Sequence, residues 1–152
     1  MEIRKAHSPD SPTIATFQSL MALETEGKRL NEATVTQGVR AKILDTESGY
    51  YMVAVNNSKI VGCILVQYEW SDWRNARVLW LHSAYVLKEF RGQGIFRKFY
   101  AAALETARES GACGIRLYVE KDNHSAQKLY SDLGMTETHY KIFEANLDHT
   151  KV

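Results

Sequence analysis

One junction limits what this chain can fold into. Val78 to Leu87 is apolar and β-prone, Phe96 to Arg108 repeats with a helical period, and Arg91-Gly92-Gln93-Gly94-Ile95-Phe96 lies between them. The helical stretch carries Phe96, Phe99, Tyr100, Ala103, Leu104 and Ala107 on one stripe. A strand that passes through a glycine turn into a helix leaves the first backbone N–H groups of that helix unpaired, at the positive end of its dipole. Such a turn binds phosphate oxygens. The junction therefore marks both a strand-to-helix crossover and the place for a phosphorylated ligand.

The remaining elements follow from period and punctuation. Met1 to Ala6 reads as a strand. Asp10, Ser11 and Pro12 start a helix that runs to Glu26 and ends at Gly27. A second helix fits Ala33 to Leu44, weakened by Gly38. Tyr50–Val55 and Ile60–Trp70 form a hairpin about Asn56-Asn57-Ser58-Lys59. Ser71 to Asn75 reads as a loop, and Arg77 to Leu87 as the next strand. Beyond the long helix, Gly111 and Gly114 precede a strand at Ile115–Val119. Asn123 and Ser125 cap a short helix with Ala126, Leu129, Tyr130 and Leu133 on its apolar face and Gly134 as its stop. Met135 to Leu147 contains one further strand or two short ones. The order is β-α-α-β-β-β-α-β-α-β, hairpins first and helices between strands later, so the sheet is mixed.

No linker or repeat divides the chain, which reads as a single domain over residues 1–152. The net charge of +1 gives no push toward nucleic acid. The N-terminus lacks a secretory pattern, and apolar runs such as Ile60 to Val66 are too short to span a bilayer. Cys63 and Cys113 read as buried free thiols, consistent with a cytoplasmic protein. No Cys or His spacing resembles a metal site.

The ordered set of Arg91-x-x-Gly94 after a strand, a helix, the strand at 115–119, Asn123, and Tyr130-x-x-x-Gly134-Met135 resembles the GCN5-related N-acetyltransferases. The resemblance is carried by about residues 78 to 136. It implies a mostly antiparallel sheet with a splayed parallel strand pair and helices on both faces. Acetyl-CoA would enter between the strand ending near Leu87 and the strand ending near Val119. The backbone of Arg91, Gly92, Gln93, Gly94, Ile95 and Phe96 would cradle its pyrophosphate, with Arg97 adding charge. Val86 and Leu87 would pair with the pantetheine arm, as an added strand would. Asn123 and Ser125 would meet the arm from the other side, and Tyr130 would point at the thioester sulfur. The sequence departs from the family pattern at Phe96, where a small residue is usual. The stripe of the helix places that ring toward the sheet.

The implied reaction moves an acetyl group to an amine, which must first lose a proton. His82 is the first choice for the base and Glu69 the second. Water alone, or a histidine buried only for packing, stay open. Counting by twos from Val86 puts Ala84, His82 and Trp80 on one face, with Ser83 and Tyr85 packing on the other. The Val86 or Leu87 N–H is the oxyanion donor, and Tyr130 the acid. The acceptor region would draw on Glu24, Glu26, Glu69, Trp70, Trp73, Trp80 and His82, acid beside aromatic surface, which suits a small primary amine. Only one of Glu24 and Glu26 can face it, since they lie two apart on a helix. Arg74 could instead meet a substrate carboxylate. A protein N-terminus or lysine as acceptor, and a non-catalytic acyl-CoA sensor, are the alternatives. The short stretch after Gly134 leaves a sheet edge for a second copy to complete, so a homodimer is expected.

Overall fold

The computed structural model describes residues 1–147. The chain divides into two compact units, Met1–Leu117 and one that starts at Tyr118.

The first unit is built on five strands, β1 (Glu2–Lys5), β2 (Gly49–Asn56), β3 (Lys59–Ser71), β4 (Ala76–Val86) and β5 (Gly114–Arg116), ordered β1-β2-β3-β4-β5. All neighbours are antiparallel except β4 and β5, which are parallel. Asn57 and Ser58 both take positive φ, 47° and 64°, the geometry that matches a two-residue hairpin loop to strand twist.

Helices cover both faces. α3 (Ile95–Glu109) buries Ile95, Phe99, Ala103 and Ala107, spaced by fours, against Tyr50, Met52, Ala54, Ile64, Val66, Leu79 and Leu81. α1 (Ser11–Glu26) and α2 (Glu32–Leu44) place Ile14, Ala15, Phe17 and Val39 against Tyr51, Val53, Cys63 and Tyr85. β2 thus alternates between two cores and carries no charged or amide side chain from Tyr50 to Val55. Gly27 ends α1 with φ 64°, and Asn31 caps α2 by accepting from the Thr34 N–H at 2.9 Å.

In the second unit, Asn123 caps α4 (His124–Asp132), and its side chain accepts from the Ala126 N–H at 3.1 Å. Gly134, φ 85°, closes the helix, with the Met135 N–H on the Tyr130 carbonyl at 3.0 Å.

Three expectations need correction. Residues 135–147 carry no strand among the described residues, so the last strand of the expected order is not formed there. Its apolar residues are exposed, including Tyr140, Ile142 and Phe143, and a strand without a ladder has nothing to satisfy its backbone. The strand expected at Ile115–Val119 is confined to Gly114–Arg116, because its pairing with β4 stops at Trp80–Arg116. Cys113 is exposed rather than buried: it precedes β5, and its thiol donates to the Arg77 carbonyl at 3.3 Å. Cys63 is buried as expected, and burial pushes its thiol up to about 12.

Candidate active site

The parallel ladder between β4 and β5 holds three residue pairs, from Val78–Gly114 to Trp80–Arg116. β4 continues to Val86 without that partner. Opposite residues in an antiparallel ladder alternate between pairs that exchange hydrogen bonds and pairs that do not. The Leu87 N–H donates to the Val61 carbonyl at 2.9 Å. The adjoining Val86–Gly62 pair therefore turns its backbone groups away from β3, toward the side where the ladder to β5 has ended. The Leu87 N–H is thus spent inside the sheet, and of the two donors expected for the oxyanion only Val86 faces the open side. The Val86 carbonyl accepts from Arg91 Nε at 2.8 Å.

The cradle after β4 begins one residue later than the sequence implies. Lys88–Phe90 forms one 3-10 turn, closed by the Arg91 N–H on the Lys88 carbonyl at 3.2 Å. That N–H is committed, so the cradle begins at Gly92. Gly92 and Gly94 both sit at φ 75°, and a Cβ at either would meet nothing within 4 Å. These glycines are required for backbone conformation and leave open space in front of the α3 N-terminus. The Lys98 N–H closes the first helical turn on Gly94, which leaves the N–H groups from Gly94 to Arg97 as the helix's leading donors. Arg91 to Gly94 are exposed. Gln93 donates from its side chain to the Glu89 carbonyl at 3.2 Å, Ile95 is buried, and Phe96 packs on the core beneath α3, leaving the cradle clear. Arg97 is exposed. These features fit a pyrophosphate group.

A β-bulge changes the faces of β4. Leu65 pairs with His82 and Cys63 with Tyr85, so Ser83 and Ala84 together stand opposite Ile64, and Ser83 takes φ 50°. Trp80 and His82 share the α1/α2 face with Leu65 and Gln67, and beyond the bulge Tyr85, not Val86, continues that face. The count by twos is therefore wrong across Ser83: Val86 lies on the α3 side, and Tyr85 belongs with His82. Gln18 of α1, buried, grips the bulge by donating Nε2 to the Ser83 carbonyl at 3.3 Å and to Cys63 Sγ at 3.4 Å. Sequence reasoning missed Gln18, whose partners lie more than forty residues away.

His82 is half-buried, and burial pulls its pKa below the ordinary 6.5. Its ring stacks on Trp80 at 5.8 Å. Trp80 Nε1 donates to Glu69 Oε2 at 3.1 Å, and Arg116 Nη1 donates to the same oxygen at 3.0 Å. Glu69, Trp80, His82 and Arg116 thus form one cluster on the α1/α2 face. Trp70 pairs with Arg77 one step further along β3 and so points to the opposite face, 61 % exposed. Trp73 is 92 % exposed at the hairpin tip. The structure does not bring either to His82.

Glu24 accepts from Arg91 Nη2 and from the Tyr85 hydroxyl, each at 2.8 Å, and the Arg91 bond, then the Tyr85 bond, hold its carboxyl below the usual range. Glu26 pairs with Lys28 at 3.0 Å on the surface. In the second unit, Asn123 Oδ1 also accepts from the Ser125 hydroxyl at 3.2 Å, and burial raises the Tyr130 pKa above 10, so that hydroxyl keeps its proton at neutral pH. A cavity of about 510 Å³ lined by Lys5, His7, Tyr50, Tyr51 and Tyr68 includes none of these site residues. Among the described residues, no cluster of metal-ligating side chains occurs and no helix is long and apolar enough to cross a membrane.

A mixed sheet with a parallel pair that parts, and a glycine turn opening a helix beside it, defines the class of protein that the sequence resembles. Residues 14–135 match the model of the Acetyltransferase (GNAT) family, and the chain belongs to that family. A crystal structure of a possible acetyltransferase from Clostridium difficile 630 is 42 % identical, covering 97 % of this chain and 98 % of that one with a TM-score of 0.89. The thialysine N-epsilon-acetyltransferase of Bos taurus is 37 % identical over 49 % of this chain and 44 % of its own length. The N-alpha-acetyltransferase 30 of Schizosaccharomyces pombe is 31 % identical over 56 % of each. The chain thus spans about half the length of these curated relatives.

Proposed function

We propose that the protein is an acetyl-CoA-dependent N-acetyltransferase acting on a primary amine of a small molecule. The observation that carries this reading is the open side of β4 at Val86, next to a glycine turn whose helix donors face outward. Bound acetyl-CoA supplies an activated acetyl thioester. The helix donors from Gly94 onward hold phosphate oxygens, with Arg97 adding positive charge. The Val86 N–H steadies the negative charge that develops on the carbonyl oxygen. His82, kept neutral by burial, takes a proton from the bound ammonium, and the free amine that results attacks the thioester carbonyl. We favour it over Glu69, whose oxygen is already engaged by Trp80 and Arg116. Tyr130, protonated at neutral pH, takes the role of acid on the strength of its motif. The amide group of Asn123 remains for the arm of the cofactor, since its oxygen caps α4.

The amine preference rests on the stacked rings of Trp80 and His82, the Glu69 carboxylate beside them being already paired with Arg116, and on the name of the bovine relative, which specifies an amino group of thialysine. An exposed free thiol at Cys113 suits a reducing, cytoplasmic setting. β5, three residues long at the end of the sheet, is the edge through which we propose a homodimer. A monomer by light scattering would remove the dimer.

The test is calorimetric titration with acetyl-CoA, beside Gly94→Arg, followed by thiol release with a panel of thialysine, phenethylamine and an unblocked peptide. Binding lost in the variant and turnover of a small amine support the reading. Turnover of the peptide alone makes the protein a protein acetyltransferase. Binding without turnover makes it a sensor, and no binding by the wild type removes the reading altogether.

A further inference from the structure

We propose that Glu24 is a positioning residue that reaches from α1 to hold Arg91, and through it the cofactor turn, in the form that binds phosphate. The inference rests on the acetyl-CoA reading and assigns Glu24 and Arg91 roles different from acceptor and phosphate contact.

Five contacts carry it. Arg91 Nη2 donates to Glu24 Oε2 at 2.8 Å, and Arg91 Nε donates to the Val86 carbonyl at 2.8 Å. The guanidinium lies over the Tyr85 ring, 5.4 Å from its centre, and the Tyr85 hydroxyl donates to the other Glu24 oxygen at 2.8 Å. Lys88 Nζ adds positive charge 3.8 Å from Glu24. The guanidinium, on an exposed side chain, thus meets three partners from α1 and β4. A planar fork with five donors suits such a clamp, and a lysine could not reproduce it.

The position of Arg91 gives the clamp its effect. Its own N–H closes the 3-10 turn on Lys88, and Gly92 follows at once at φ 75°. Fixing its side chain therefore fixes the backbone immediately ahead of the cradle, and fixes the direction of the Val86 carbonyl beside the open strand edge. Both Glu24 oxygens are occupied, so the carboxylate is engaged within the protein rather than aimed at an amine. Gln18, two turns earlier on α1, holds the Ser83 bulge from the same helix. α1 thus anchors both irregular points of the route from β4 to α3.

The test is a double-mutant cycle of Glu24→Gln and Arg91→Gln, read by coenzyme A titration, by steady-state kinetics with the best amine of the panel, and by thermal unfolding. Glu24→Gln is expected to weaken coenzyme A, and to raise the KM for acetyl-CoA, by about tenfold, the loss of one charge-assisted bond. The KM for the amine should stay within about twofold, and the double variant should be no weaker than the worse single one. A raised amine KM with unchanged coenzyme A affinity would overturn the proposal and make Glu24 an acceptor contact. Additive losses would overturn the coupling. If the wild type binds no coenzyme A, the acetyltransferase reading fails by itself, and the melting temperatures of the same four proteins still decide: non-additive shifts support the clamp and additive shifts refute it. Should Glu24→Gln fail to fold, Tyr85→Phe removes only the hydroxyl. It should weaken coenzyme A by about threefold and leave the amine KM unchanged, and an unaltered coenzyme A affinity would count against the clamp.

Discussion

His82 sits on β4 with its ring stacked on Trp80, and burial favours its uncharged form. A base must be unprotonated to act, so activity falls as pH drops through its pKa. Because that pKa is lowered, kcat/KM should hold to below pH 6.5 before its acid limb begins. His82→Gln should remove the limb and reduce kcat by about 100-fold. A limb that persists in the variant assigns proton removal to water or to another group. The place of Phe96 was legible because a helix stripe over a sheet is a local pattern, whereas His82 was expected on the face of Val86, and the bulge at Ser83 separates the two. Gln18 and the Glu24–Arg91 bond were not legible. Each joins positions 45 to 67 residues apart, and no local period records such a pairing.

Among the elements, β4 shows where local reading fails. The alternation of a strand is a reliable guide until a bulge inserts one residue, after which every later side chain changes face. Nothing in His82-Ser83-Ala84 announces that Ser83 takes a positive φ, since the bulge is held by Gln18 of a distant helix. The helices were legible nearly to the residue, because Gly27, Asn123 and Gly134 are caps whose chemistry is local, while the Asn31 cap of α2 went unread. Across the ladder from the bulge, a Cβ at Gly62 would stand 2.9 Å from the Tyr85 carbonyl and 3.2 Å from a Val86 methyl group. Gly62→Ala must therefore push β3 from the end of β4. It should cost about 1–3 kcal/mol by denaturant unfolding, the usual range for overpacking. It should also weaken coenzyme A, because Val86 moves with its strand. An alanine that costs nothing would show that β4 can shift freely at this point.

For the molecule as a whole, the element order through α4 was legible, since both cores are made of stripes with strand or helix period. Stability against acid was not, because it depends on pairs brought together by folding. Asp10 is buried, accepts from Arg4 Nη1 at 2.7 Å and Nη2 at 3.0 Å and from the His7 N–H at 2.7 Å, and these bonds, Arg4 first, lower its pKa from 3.8. A lowered carboxyl pKa stabilises the fold fully above its unfolded value, and that part is lost as pH falls through the folded value. His82 is also lowered, so the unfolded chain takes up a proton near pH 6.5 that the folded chain refuses, and stability begins to fall there. Unfolding free energy should thus decline in two stages on acidification, with the lower stage reduced in Asp10→Asn and the remainder carried by carboxylates such as Glu24, whose pKa is lowered as well. Ligand binding raises the same free energy by mass action. At 100 times its dissociation constant, coenzyme A adds about 2.7 kcal/mol, which for a chain of this size is a rise in Tm of roughly 5–10 °C. The rise should vanish in Gly94→Arg, whose side chain enters the space before the α3 N-terminus. It should shrink in Glu24→Gln with the logarithm of the affinity, to about half for a tenfold loss. A Tm unmoved by coenzyme A in the wild type would leave the glycine turn a purely structural junction between β4 and α3.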